Sequence, residues 1–285
     1  MITHDASLYA HLHDLAAAQH LVFFAGLPGT GKSLLSHQLA HLAHAMGRTV
    51  HLLQWDVARP VFEASAAGQR YPVVGGVTHD VIRYAVGHWA RQALVLWAQR
   101  HSAPQHLLIG ETPLVGHRLL ELAITRADMA EELLRTACFV VPVPSPAVRA
   151  WLEAERQRRS LIPLHPRERE DAPPQVLRDL WQQLAAVAPQ LGVTPTTRTE
   201  TEASPYDPLV YRAVYERLLA ARQVLVLPIA TRFPTATFSV YDFAVPTHEV
   251  VPTEEEAIRA IREVEQRYPD LRVLQEEITQ WYRLT

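Results

Sequence analysis

The chain has 285 residues, 48% of them hydrophobic, which is enough to bury a sizeable core in one large α/β domain or in a core with insertions. A net charge of −3 and a pI near 6.6 exclude a strong global attraction to nucleic acid or anionic membranes. The single cysteine, Cys138, excludes a disulfide framework and a thiolate metal cluster.

In chain order, residues 5–19 read as a short amphipathic helix leading into an apolar strand, 21–25 (LVFFA). A glycine-rich turn follows. Leu35, Leu39, Leu42 and Met46 then step by four, three and four, one face of a helix, and Gly47 supplies a stop. A second strand, 49–54, ends at Trp55-Asp56, and Pro and Gly punctuate the stretch from Arg59-Pro60 to Gly75-Gly76. Thr78 is the expected N-cap of a helix over 79–100, with Val81, Ile82, Ala85, Trp89, Leu94 and Trp97 toward the core. A third strand, 106–111, ends in the acid Glu111, and 114–135 reads as helical.

A fourth strand, 137–143, closes on the run Pro142, Pro144, Pro146. A charged helix over 147–160 carries Arg149, Arg156, Arg158 and Arg159, and 161–174 reads as an exposed loop. Residues 175–187 are helical, 192–208 a second long loop, and 208–222 a helix before a fifth strand at 224–229. The segment 237–243 is the candidate for a sixth strand, and short helices at 253–267 and 269–283 close the chain. Alternating strands and helices predict an α/β fold: a parallel five- or six-stranded sheet with helices on both faces. The expected organisation is a core over 1–250, with a lid segment at 147–175, and a helical extension over 251–285 packed on it. The opening residues lack the basic region and continuous apolar core of a signal peptide. No stretch approaches the roughly 18 apolar residues of a membrane span. The expectation is a cytoplasmic protein without a membrane partner.

Gly26, Gly31, Lys32 and Ser33 fit G-x-x-x-x-G-K-[ST] without a gap, between an apolar strand and a helix. The chemistry needs those residue types. Glycines let the backbone curl so that N–H groups converge on one anion, and the helix N-terminus adds its partial positive charge. Gly26, Leu27, Pro28, Gly29, Thr30, Gly31, Lys32, Ser33 and Leu34 are therefore the expected cradle for ATP phosphates. Lys32 would neutralise the β- and γ-phosphates, and the Ser33 hydroxyl would ligate Mg2+. Ligands of open parallel sheets bind at the carboxyl ends of strands, which brings in Asp56 and Glu111. Asp56 can take a proton from an acceptor hydroxyl or orient it, and Arg59 can grip an anionic part of the acceptor. Arg83, in a second Asp-x-x-Arg with Asp80, is a further candidate for that grip, and Glu111 is a second candidate for the metal. Arg156 and Arg159 would stabilise charge on a transferring phosphoryl group from a closing helix, although Glu153 and Glu155 among them also fit a solvated helix of ion pairs. His37, His41 and His44 have ligand spacing, but on a face opposite the apolar stripe, where a solvated face is expected.

Together the loop GLPGTGKS, the strand-end DVAR and the later arginine-bearing helix resemble the small-molecule branch of P-loop kinases: adenylylsulfate kinase, polynucleotide 5′-kinase and zeta-toxin-like kinases. The resemblance covers residues 20–160, and only the loop motif is highly specific. It implies that Asp56 faces the acceptor hydroxyl, that Arg59 helps bind the acceptor, and that the 149–159 segment supplies lid arginines. The expected function is ATP- and Mg2+-dependent phosphotransfer to a hydroxyl or phosphate group of a small molecule or nucleotide, nucleic acid entering only as an end to be phosphorylated. The alternative is an ATP-hydrolysing AAA-like or regulatory ATPase, whose loops also read GxPGTGKS. Such proteins pair the loop with Asp-Glu on the third strand, where this chain has Gly110-Glu111. The guanine-specifying Asn-Lys-x-Asp run of GTPases does not occur in the sequence.

Overall fold

A computed structural model describes residues 6–169, 171–194, 204–233, 239–242 and 245–283. The strand Leu21–Ala25 (β1) is buried at every position because helices cover both sides of it. Its side chains alternate: Leu21, Phe23 and Ala25 enter one apolar core, Val22 and Phe24 the other. The remaining strands are Thr49–Gln54 (β2), His106–Thr112 (β3), Cys138–Pro144 (β4), Gln223–Ile229 (β5) and Thr247–Glu249 (β6). They form a six-stranded, all-parallel sheet in the order β5-β4-β1-β3-β2-β6.

The helices are Ala6–Ala18 (α1), Lys32–Ala45 (α2), Trp55–Ala64 (α3), Asp80–Arg100 (α4), Ala130–Thr136 (α5), Pro146–Leu161 (α6), Pro174–Val187 (α7), Pro208–Leu218 (α8), Glu254–Arg267 (α9) and Leu271–Thr279 (α10). Leu12 of α1 with Leu35 and Leu39 of α2 cover one face of the sheet. On the other face α4 is central, and Ala257, Ala260, Ile261 and Val264 of α9 join its core. His88 Nε2 and Glu263 Oε2, 2.8 Å apart, fasten α9 to α4 at the rim. No helix among the described residues is long and apolar enough to cross a membrane.

From β1 the chain runs outward to β2, returns to β3 beside β1, then crosses to β4 on the other side. The carboxyl end of β1 therefore lies where the winding reverses, the place where open parallel sheets leave a crevice.

Several local expectations are corrected. Residues 114–129 are not helical apart from a 3-10 turn at Leu120–Leu122. Leu114, His117 and Leu119 have φ of 61°, 63° and 58°, in the left-handed region that breaks a helix. Side chains from elsewhere compensate: Arg91 Nη1 donates to the carbonyls of Glu121 (2.6 Å) and Ile124 (3.0 Å), and Arg222 to those of Leu122 (2.8 Å) and Ile124 (2.7 Å). Buried guanidinium groups thus satisfy carbonyls that a helix would have used.

Arg59 and Pro60 lie inside α3 rather than in an irregular stretch, so Asp56 sits in a helical first turn. The N-cap of α4 is His79, whose ring accepts from the Val81 amide (3.2 Å), while Thr78 donates instead to Glu63 (3.1 Å). Glu111 is the penultimate residue of β3, and Pro142 and Pro144 lie within β4. The expected sixth strand at 237–243 falls partly outside the described residues, and Val240–Asp242 is a 3-10 turn. The actual sixth strand is β6, paired with β2. In the expected exposed loop 161–174, Pro166–Arg169 is a 3-10 turn that buries Glu168. The expected loop 192–208 lies largely outside the described residues.

Gly110 pairs with Phe23 across β3 and β1, and a Cβ on it would lie 2.3 Å from Phe23 Cδ1. Gly110→Ala is expected to lower unfolding stability by roughly 1–3 kcal/mol through overpacking, read as a lower urea midpoint with an unchanged m-value.

Candidate functional site

In the turn after β1, the neighbours leave no room for a side chain at Gly26 or Gly29. A Cβ on Gly26 would meet Tyr211 Oη at 2.5 Å, and one on Gly29, where φ is 71°, would meet Leu177 Cδ1 at 3.0 Å. Within the turn the Leu27 carbonyl accepts from Thr30 Oγ1 (2.9 Å) and Lys32 Nζ (3.0 Å), while the Leu27 amide donates to Tyr211 Oη (3.3 Å). The α2 ladder begins with Leu35 N donating to Gly31 O (3.1 Å). Gly31 has no side chain to cap the amides of Lys32, Ser33 and Leu34, so the positive end of α2 opens on the crevice.

Arg149, on α6 and only 2% exposed, locks this turn from behind. Its Nη1 donates to the carbonyls of Pro28 (3.1 Å) and Gly29 (3.4 Å), its Nη2 to Leu177 O (3.1 Å), and its Nε to Glu153 (2.9 Å). The guanidinium also lies 5.6 Å from the centre of the Tyr206 ring. One planar group with fixed donors therefore ties the turn to α6 and α7.

Three charged groups face one another at the ends of β1, β2 and β3. Glu111 accepts from Ser33 Oγ (3.1 Å), Ser36 Oγ (3.0 Å) and Gln54 Nε2 (3.2 Å). Lys32 is buried, and burial pushes its ammonium below the ordinary lysine value. Glu111 and Asp56 pull it back up, whereas Arg156 and Arg149 add to the lowering. Asp56 is open to solvent, yet enough protein surrounds its carboxyl for desolvation to be the main force raising its pKa, followed by repulsion from Glu111. Both observations describe a group on the floor of an open cleft. Arg59, Lys32 and Arg118 oppose that rise.

The expected acceptor and lid residues have mixed placements. Arg59 neighbours Asp56 electrostatically, but its Nη1 is bound to both oxygens of Glu63 (3.0 and 2.8 Å). Arg83 is paired with Asp80 and donates to Gly116 O (2.8 Å). Arg156 approaches Lys32 closely enough to influence it and is itself paired with Asp171. Arg159 is occupied by Glu168, which also accepts from Ser239 Oγ (2.7 Å), one layer behind Arg156. His37, His41 and His44 do not meet as a ligand group among the described residues.

Sequence reasoning missed Arg118, Tyr211, Gln54 and Ser36, and the part played by Arg149. Burial, and then the like charge of Arg83, pushes Arg118 down to about 10. Ser36 had a readable signal: it lies three residues after Ser33, on the same helix face. Tyr211 is 185 residues after Gly26, and no local pattern connects them.

Fold and site together define an α/β protein with a six-stranded all-parallel sheet and a glycine-rich turn at its winding reversal. Beyond that class, the chain matches no family model, no curated protein and no solved structure.

Because the folded-state pKa of Asp56 is raised above its ordinary 3.8, ionising this carboxyl costs stability as pH rises through the shifted value. Asp56→Asn is therefore expected to melt at or above the wild-type temperature at pH 7, an advantage that shrinks as pH falls toward 3.8. Melting curves across that range check the sign. Arg149→Ala takes a guanidinium donor from three carbonyls and leaves Glu153 only the longer contact to Arg178 (3.8 Å). It is expected to cost about 3 kcal/mol in chemical unfolding.

Proposed function

We propose that this protein is an ATP-dependent phosphotransferase of the P-loop kinase type, acting on a hydroxyl-bearing small molecule or nucleotide. The observation that carries the proposal is the convergence of Lys32, Asp56 and Glu111 on one crevice beside the uncapped start of α2. The glycine turn and the α2 amides suit the β- and γ-phosphates, with Lys32 as their countercharge. The Ser33 hydroxyl and the Glu111 carboxylate, 3.1 Å apart, are the hard oxygen donors that magnesium prefers, so these residues fit a metal–nucleotide complex. When bound there, magnesium would neutralise charge on the phosphate oxygens.

Asp56 supplies the base. A carboxylate whose pKa is raised toward the working pH takes a proton more readily. The acceptor oxygen bonds to the γ-phosphorus as its proton passes to Asp56, and the bond to the β-phosphate oxygen breaks to release ADP. Arg118, with Arg83 beside it, favours an acceptor that carries an anionic group. Arg156 stands where charge on the transferring group can be shared, and Arg159 holds the α6 segment through Glu168.

ADP release from Mg-ATP, measured with and without pooled hydroxyl-bearing acceptors, tests the proposal. One pool is expected to raise wild-type turnover. Lys32→Ala and Asp56→Asn should each lose that increase by roughly 10²–10⁴-fold. Hydrolysis that ignores every pool, needs Lys32 and survives Asp56→Asn would replace this reading with that of an ATPase.

A further inference from the structure

Five of the fifteen histidines gather at the opposite end of the sheet from the glycine turn. His51 lies in β2, His106 opens β3, His101 caps the end of α4, His248 lies in β6 and His20 precedes β1. Register explains the convergence. His51 pairs with His248 across the sheet, and His106 pairs with Thr49, two residues before His51. Side chains of His51, His106 and His248 therefore share the face on which α4 packs, and the end of α4 delivers His101 to the same place.

We propose that His51, His101 and His106 form a zinc site. One ring nitrogen from each lies within 4.8 Å of the other two, and His51 Nε2 is already 3.2 Å from His106 Nδ1. Tetrahedral zinc with bonds of about 2.0–2.1 Å sets its nitrogens roughly 3.4 Å apart, so modest side-chain adjustment closes the set. Imidazole-only donors suit zinc over magnesium or calcium. His51 is only 5% exposed and His101 and His106 are half-buried, so the three rings meet at a sheltered point rather than on the open surface.

The surroundings are built as a rigid support. The His106 carbonyl accepts from His20 Nδ1 and Arg48 Nη2, each at 2.9 Å, which fixes the start of β3. Arg48 spends its other bonds on the carbonyls of Ala16 (2.6 Å) and Gln19 (2.7 Å). Trp97, packed against His20, His51 and His101, has a buried indole N–H that finds no acceptor among the described residues. Exposed His248 lies beside the set, its ring centre 5.3 Å from that of His51. The ion would tie β2, β3 and the end of α4 together. His106 and Glu111 are five residues apart on one strand, about 16 Å, so this site is separate from the magnesium-type donors at Ser33.

Chelator-stripped full-length protein, titrated with zinc chloride by calorimetry in excess magnesium, tests the site without reference to phosphate transfer. Wild type is expected to bind one zinc per chain, to melt at higher temperature when loaded, and to give a tetrahedral visible spectrum with cobalt(II). His101→Ala alters a half-buried helix end and, as loss of a direct ligand, should weaken zinc binding by more than the roughly 10–100-fold that loss of an outer-shell partner costs. His101→Ala combined with His106→Gln should abolish it, with circular dichroism verifying the fold. The surface control His11→Ala with His13→Ala should bind as wild type does. Absence of one-to-one binding in wild type, or retention of it in the folded double variant, would overturn the proposal.

Discussion

Glu111 is the joint on which the crevice depends. By accepting from Ser33, Ser36 and Gln54, its carboxylate links the start of α2, the end of β2 and its own strand β3. Those bonds are possible because β3 is paired on both sides, Phe24 of β1 opposite Glu111 and Gln54 of β2 opposite it as well. The register holds because Gly110, one residue earlier, leaves space for the Phe23 ring. An apolar packing constraint in the sheet thus decides where a charged group stands in the cleft.

Around that joint the electrostatics are unbalanced by design of the fold. Lys32 is the chain's only lysine, buried between two carboxylates and two guanidinium groups. Asp56 is repelled by Glu111 and drawn by Arg59, Lys32 and Arg118. Burial, with like-charge repulsion added, leaves an acid that holds its proton more firmly and a base that holds its own less firmly than in water, and the opposite charges reduce both shifts. Structural ion-pair networks and reactive sites both shift titratable groups in this way. The cost falls on stability, and the aromatic and arginine backing of the turn offsets it through Tyr211 and Arg149.

The turn itself is held by two layers of support. Directly behind it, Tyr211 and Arg149 satisfy its amide and carbonyl groups. Farther out, Arg159, Glu168 and Ser239 brace α6, so Arg149 is presented at a fixed height. Arg156 lies between these layers, paired with Asp171 but within electrostatic range of Lys32. Arg149 and Arg156, seven residues apart, share the face of α6 turned toward the turn and Lys32, whereas Arg158 pairs with Glu155 of its own helix.

What the sequence determined by itself is what depends on neighbours in the chain. Mostly apolar segments of five to seven residues mark β1 to β5, and the GLPGTGKS spacing marks the turn and the start of α2. Lys32, Ser33, Asp56 and Glu111 were legible because strand ends follow from strand positions in a parallel sheet. Only the tertiary structure decided the rest. The 114–129 segment has helical periodicity, but Arg91 and Arg222 claim its carbonyls and left-handed residues break it. The short strand β6 has too few residues for a pattern and exists because β2 offers an edge. Arg118, Tyr211 and the five-histidine cluster join residues far apart in the chain, and no local periodicity encodes such distances. Short-range order follows from backbone and side-chain preferences within a few residues. Which buried donor meets which acceptor is settled by packing of the whole chain.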